Sequence, residues 1–165
     1  MSAPPPAGAV RLRPAEESDT PGILELEREL FPLDAWSEDT VRAELRSPHT
    51  RYLVLEDGRR VLGYAGMLAP AGSGEADVQT LAVASAVRRA GHARRMLGEL
   101  RAWAAGRGAA AVFLEVRETA LAARALYEQL GFVEIGRREG YYAGDGADAI
   151  VMRADAGPGP ETTGR

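Results

Sequence analysis

The sequence predicts an α/β fold: a single domain with a mixed central β-sheet flanked by helices. Three observations carry this prediction. Runs of strand character alternate with runs of helical periodicity along most of the 165 residues. A β-type run, Asp77 to Val83, leads through a basic, glycine-bearing turn, R-R-A-G-H-A (Arg88 to Ala93), into a helix-type run from Ala93 to Ala105. Finally, Ala111 to Val116 is apolar except for Glu115, the pattern of a strand buried on both faces.

The elements follow in order. Val10 to Arg13 reads as a short strand. Asp19 to Leu30 reads as a helix: Ser18 or Asp19 can cap it, Pro21 suits its first turn, and Ile23, Leu26 and Leu30 share a face. Phe31 to Trp36 is a loop containing Pro32, and Ser37 caps a second helix that runs to Arg46 and stops at Ser47-Pro48. Tyr52 to Glu56 and Arg60 to Leu68 form a hairpin around Asp57-Gly58. In the helix after the basic turn, Met96, Leu97, Leu100, Trp103 and Ala104 lie on one face, and Gly106 and Gly108 end it. Ala122 to Leu130 is a helix stopped by Gly131, with Tyr127 at the border of an Ala122/Ala125/Leu126/Leu130 stripe. Phe132 to Arg137 and Ala149 to Met152 close the sheet, joined by a loop that holds Tyr141, Tyr142 and Asp145-Gly146. The domain is expected to span residues 10–153. Residues 1–9 and 154–165, poor in apolar periodicity, are expected to be disordered tails.

Composition narrows the function. Apolar content is 45% and charged content 27%, ordinary for a soluble globular domain. A net charge of −4 argues against a nucleic-acid surface. All 20 basic residues are Arg, which fits the codon bias of a GC-rich genome better than any chemistry. With no Cys, disulfides, Cys-based zinc sites and a thiol nucleophile are excluded, and no metal is expected. No basic start followed by an apolar segment marks a signal peptide, and no apolar run approaches the roughly 20 residues of a bilayer span. A cytoplasmic location without membrane contact is expected.

Three features carry chemistry. A strand that enters a helix through a Gly-bearing basic turn presents free backbone N–H groups at the positive helix end, a site for an anion such as phosphate. The plain alternative is a tight connection with a solvated Arg face. Glu115 lies near the end of a buried strand, either paired with an Arg (Arg117 or Arg124) or held as a general base. Glu75 and Asp77 are alternative bases. Tyr127 is either a half-buried tyrosine with its hydroxyl in water or a proton donor. His92 reads as a turn residue.

These segments, in this order, resemble the Gcn5-related N-acetyltransferases, the GNAT family, over Val10 to Met152. The turn alone would say only that. F-P-L-D-A-W-S (Phe31 to Ser37), T-L-A-V (Thr80 to Val83), L-E-V-R (Leu114 to Arg117), A-L-Y-E-Q-L-G-F (Ala125 to Phe132), R-R-E-G-Y-Y (Arg137 to Tyr142) and D-A-I-V-M (Asp148 to Met152) are narrower. They are similar to the RimI type, the ribosomal-protein-alanine N-acetyltransferases. The resemblance implies acetyl-coenzyme A as cosubstrate, with Glu115 as proton acceptor and Tyr127 as proton donor. It implies that the backbone of Leu81, Ala82 and Val83 meets the pantetheine arm and thioester. The turn formed by Arg88, Arg89, Ala90, Gly91, His92 and Ala93, with Arg94 just beyond, would hold the pyrophosphate. Phe31, Trp36, Tyr141 and Tyr142 would flank the entrance for the substrate, the N-terminal peptide of a ribosomal protein. Two positions depart from the pattern. Ala120 stands where the family usually carries an Asn that contacts coenzyme A, leaving Thr119 or the backbone to supply that bond. Ala93 replaces the commoner second Gly of the turn. Alternative functions are acetylation of another N-terminus or a small amine, and non-catalytic coenzyme A or partner binding.

Overall fold

The structure, a computed structural model, describes residues 9–157; the expected tails lie almost wholly outside them. Seven strands form one sheet in the order β1-β2-β3-β4-β5-β7-β6. They are β1 (Arg11–Pro14), β2 (Thr50–Glu56), β3 (Val61–Leu68), β4 (Glu75–Val83), β5 (Ala111–Arg117), β6 (Val133–Tyr142) and β7 (Ala147–Asp155). The helices are α1 (Thr20–Leu30), α2 (Glu38–Arg46), α3 (His92–Gly106) and α4 (Leu121–Gln129). All neighbouring strands are antiparallel except β4 and β5, whose parallel pairing needs the α3 crossover between them. The mixed sheet is the predicted one.

The helices divide between the two faces. Ile23, Leu24 and Leu26 of α1 and Val41 of α2 pack with Val54, Tyr64 and Ala82. Met96, Leu97, Leu100 and Ala104 of α3 and Tyr127 of α4 pack with Leu53, Ala65, Met67, Val112, Leu114, Ile150 and Met152. Ser37 caps α2 as expected, its hydroxyl accepting from the Thr40 N–H at 3.1 Å. The cap of α1 differs: the Asp19 carboxylate turns back to Arg13 and to the Glu16 N–H, closing the short 3₁₀ turn Glu17–Asp19 instead.

Four other expectations change. On β5 Ala111, Val112, Leu114 and Val116 are buried, while Phe113, Glu115 and Arg117 are half-buried, so beyond its first residue the strand has one open face. On α4 the inward stripe is Ala120, Ala123, Tyr127 and Leu130, the i, i+3, i+4 pattern; Ala122 and Ala125 are exposed. Tyr127 is therefore at the centre of the packed face, not its border. Tyr141 and Tyr142 belong to β6 rather than to a loop. The strand runs five residues past the expected end at Arg137: it is an exposed sheet edge with two bulges, which erase the period-2 pattern. Lastly, β7 runs to Asp155, and Ala154 and Ala156 are buried, so the fold continues past residue 153.

Beyond three paired residues, β4 and β5 part. Glu75–Asp77 pair with Ala111–Phe113; after that β4 follows β3 to Val83, and β5 follows β7 to Arg117. An irregularity at Gln79, where Gly66 pairs with Thr80 but Met67 with Val78, bends β4 at the parting. The split leaves one edge of β4 without a neighbouring strand and opens a cleft in mid-sheet.

Candidate active site

The basic turn closes one end of this cleft. Arg89 and Gly91 both have positive φ, +65° and +83°, a curled backbone of the kind that turns successive N–H groups inward. The first hydrogen bond of α3 runs from Arg95 N–H to the Gly91 carbonyl at 3.0 Å. None of the backbone N–H groups from Arg89 to Arg94 has an acceptor among the described residues. A Cβ built on Gly91 meets nothing within 4 Å, so the turn is open to an approaching group. These donors, at the positive end of a 15-residue helix, fit a diphosphate. The arginines divide in role. Arg88 Nε donates to the Val83 carbonyl at 2.8 Å, tying the turn to the strand end, and Arg94 donates to Gln129 Oε1 at 3.1 Å, tying α3 to α4. Arg89 is exposed and makes neither tie. His92 opens α3, and Ala93 lies half-buried against the core, where helical backbone needs no glycine.

The Leu81 and Val83 side chains pack toward α3 and Ala82 toward α1. Ala120 is the N-cap position of α4; its N–H bonds the Arg117 carbonyl at 3.0 Å, and the helix has no side-chain cap. Thr119 beside it is exposed.

Glu115 faces out on the open side of β5. Its partner is neither Arg117 nor Arg124 but Arg138 of β6, with Nε 2.6 Å from Oε2. Arg117 is taken by Asp34 and Asp145, and Arg124 by Glu134 and the Glu118 carbonyl. Arg138 also lies over the Tyr141 ring, 5.5 Å from its centroid, and the Tyr141 phenol is raised chiefly by the Glu115 carboxylate. Burial, then Glu115, pushes the Tyr142 phenol up to about 12. Asp77 and Glu75 are both exposed; partial desolvation of the Asp77 carboxyl and repulsion from Glu75 and Glu115 raise it, which places it near the same carboxylate.

Tyr127 is held by the end of its own helix. Leu130 is the last half-helical residue and Gly131 follows at φ +94°; Phe132 N–H bonds the Tyr127 carbonyl and Gly131 N–H the Glu128 carbonyl, at 3.0 and 3.1 Å. This glycine-terminated motif brings its residues three before and two after the cap into contact. Here they are Tyr127 and Phe132, edge to face with centroids 5.7 Å apart. The Tyr127 ring is 7% exposed, and its hydroxyl has no hydrogen-bond partner among the described residues. Burial, with a smaller effect from Tyr142, holds its phenol well above the ordinary value.

Two segments wall the outer side. Phe31 and Trp36 rest half-buried on the α1/α2 core, and the Trp36 N–H donates to buried Glu27 at 3.0 Å, while Tyr64 donates to the other Glu27 oxygen. Opposite, Asp148 pins the bulge that presents Tyr141 and Tyr142: it accepts from Gly140 N–H at 2.9 Å and from Arg137 at 2.8 Å. Tyr141 and Tyr142 stand edge to face, 5.1 Å apart. The structure sets Glu115 beside Tyr141 and Tyr142 and leaves the turn open, and it adds contacts of Arg138, Asp148, Asp34 and Arg117 that the sequence reading did not name. Arg138 lies in R-R-E-G-Y-Y, Asp148 in D-A-I-V-M, Asp34 in F-P-L-D-A-W-S and Arg117 in L-E-V-R, but their partners come from distant elements.

Comparison with known proteins gives the family and the fold. Residues 20–132 match the family model described as Acetyltransferase (GNAT) family. The chain is 40% identical over 143 residues to N-alpha-acetyltransferase RimI of Mycobacterium tuberculosis, covering 85% of this chain and 89% of that protein. It is 33% identical to the [ribosomal protein bS18]-alanine N-acetyltransferase of Escherichia coli K12, over 83% of this chain and 91% of that protein. The crystal structure of the Escherichia coli ribosomal-protein-S18-alanine N-acetyltransferase superposes with a TM-score of 0.77 at 29% identity, covering 93% and 97% of the two chains. Arabidopsis thaliana NAA60 in complex with acetyl-CoA shares the fold, with a TM-score of 0.81 at 18% identity over 89% of this chain and 98% of that one. The split sheet, the open turn and these relatives place the chain in the GNAT family, as an N-acetyltransferase that uses acetyl-coenzyme A.

Proposed function

We propose that the protein is a RimI-type N-terminal α-amino acetyltransferase, acting on the N-terminal alanine of a ribosomal small-subunit protein by direct transfer in a ternary complex. The observation that carries the reading is the half-open Glu115 carboxylate at the mouth of the sheet split, with Tyr141 and Tyr142 beside it and Tyr127 behind. Bound acetyl-coenzyme A supplies an acetyl group activated as a thioester. The backbone donors of Arg89 to Arg94 hold its pyrophosphate, with Arg89 free to add charge. The unpaired edge of Leu81 to Val83 lines the pantetheine arm, and a main-chain N–H there donates to the carbonyl oxygen as charge gathers on it.

Glu115, directly or through a water, takes the proton of the substrate ammonium. An α-amine has a pKa of about 8, against about 10.4 for Lys, so a modest base serves. The freed amine attacks the thioester carbon, forming the C–N bond; as the C–S bond breaks, Tyr127, kept protonated by its apolar surroundings, gives a proton to the departing sulfur, and the second proton lost from nitrogen restores the phenol. With no Cys in the chain, no acetyl-thioenzyme can form. No described helix is long and apolar enough to cross a membrane, and a cytoplasmic location belongs to the same proposal.

The test is turnover of acetyl-coenzyme A on a panel of peptides that differ in the first residue, with the acetylated atom located by mass spectrometry. A peptide with the N-terminal sequence of the small-subunit protein, beginning with Ala, is expected to be the best acceptor. A better small amine, or indifference to the first residue, removes the assignment.

A further inference from the structure

The two walls of the entrance are joined by one side chain. Arg117, two residues beyond Glu115 on the same face of β5, sends Nη2 to the Asp34 carboxylate in the α1–α2 loop. Its Nη1 lies 3.0 and 2.9 Å from the two oxygens of Asp145 in the β6–β7 turn. Its guanidinium carbon sits 4.3 Å from the centroid of the Tyr142 ring. The walls also touch directly: a Cβ added at Gly144 would lie 3.0 Å from both Leu33 Cβ and the Leu33 carbonyl oxygen. The Arg117 side chain is 22% exposed, so solvent screens these contacts only in part.

We propose that Arg117 is a positioning residue, a clasp that holds the Phe31–Trp36 loop and the β6–β7 turn at a fixed separation and keeps Tyr142 over the site. A planar guanidinium can serve two carboxylates through its fork and an aromatic ring through its face at once; a Lys ammonium cannot. Without the cation, Asp34 and Asp145 face each other with like charge, and the walls separate. That an N-terminal peptide passes between them rests on the function proposed above; the clasp itself does not.

The test uses the full chain with Arg117→Ala and Arg117→Lys. Hydrogen exchange, which needs no substrate, should quicken in residues 31–36 and 142–146 of Arg117→Ala and stay unchanged in α3. The dissociation constant for acetyl-coenzyme A should stay within about twofold, while the KM for an N-terminal peptide rises about tenfold, a loss of about 1.4 kcal/mol, with kcat changed far less. Arg117→Lys should recover little. Adding Asp34→Asn and Asp145→Asn to Arg117→Ala should recover part of the KM by removing the repulsion. The single variants Asp34→Asn and Asp145→Asn should shift KM the same way by less, and they carry the test if Arg117→Ala does not fold. Unchanged exchange in both segments overturns the clasp. So does a parallel loss of cofactor affinity, kcat and KM, which marks a general structural role. If the wild type acetylates no N-terminal peptide but Arg117→Ala still quickens exchange in the two walls, the clasp stands and the proposed function falls.

Discussion

The phenol of Tyr127 lies in apolar surroundings, and in the proposed mechanism this sets the pH range over which it can serve as an acid. Burial disfavours the phenolate, so its titration is displaced upward; that of Tyr142 is pushed up to about 12. Both stay protonated through the range near pH 8 in which a substrate α-amine loses its proton. We therefore expect kcat/KM to rise with pH as the amine deprotonates and then to stay level to about pH 10. A fall centred at an ordinary phenol value would mean that the acid is a different, exposed group. Glu115→Gln should keep the fold and cofactor binding but lower turnover by roughly 10²–10⁴, the range of a proton-transfer group, with the deficit shrinking at high pH. Tyr127→Phe should lower kcat with little change in peptide KM. Full activity of Glu115→Gln at neutral pH would move the role to Asp77, which lies close enough to Glu115 to be raised by it.

At the scale of elements, α4 shows a local weakness with a functional edge. Its N-cap residue is Ala120, which offers no side-chain acceptor to the helix N–H groups. Ala120→Asn should supply one, adding about 0.5–2 kcal/mol of stability. If the side chain also reaches the pantetheine arm, the dissociation constant for acetyl-coenzyme A should fall by roughly 2- to 12-fold, the worth of one neutral hydrogen bond. Calorimetry and thermal melting separate the two effects. A higher melting temperature with unchanged affinity would show that the amide serves the helix alone, and Thr119 would become the residue to examine.

The same elements show what sequence patterns can and cannot carry. Strand β4, the turn and α3 were legible because their signals are local: a β-type run, a glycine at positive φ, and an i, i+4 apolar face. Strand β6 was cut short, since an exposed edge with Gly136 and Gly140 at or beside its bulges has no alternation to read. On α4 the stripe was set one position off, because in a run as rich in alanine the periodicity has two near-equal solutions. The partner of Glu115 was missed for another reason. Arg138 meets it across β7, a pairing that only the strand order determines.

At the scale of the molecule, one departure from regular pairing organises everything else. The parallel contact of β4 with β5 stops at Asp77 and Phe113, and the two halves of the sheet then diverge around a cleft. Beyond the end of β4 the α3 N-terminus presents unpaired N–H groups, and at the end of β5 Arg117 joins the two walls. An entrance narrowed in this way suits an extended chain end better than a side chain projecting from the middle of a peptide. The central claim is that an α-amine receives the acetyl group. It is tested most directly by one peptide with two competing amines, an N-terminal Ala and an internal Lys, whose acetylated nitrogen is located by mass spectrometry after partial turnover. Acetylation is expected at the first nitrogen, and the peptide should be nearly inert once that nitrogen is blocked. Preferential acetylation of the Lys would contradict that claim, leaving the GNAT fold in place and the N-terminal function gone.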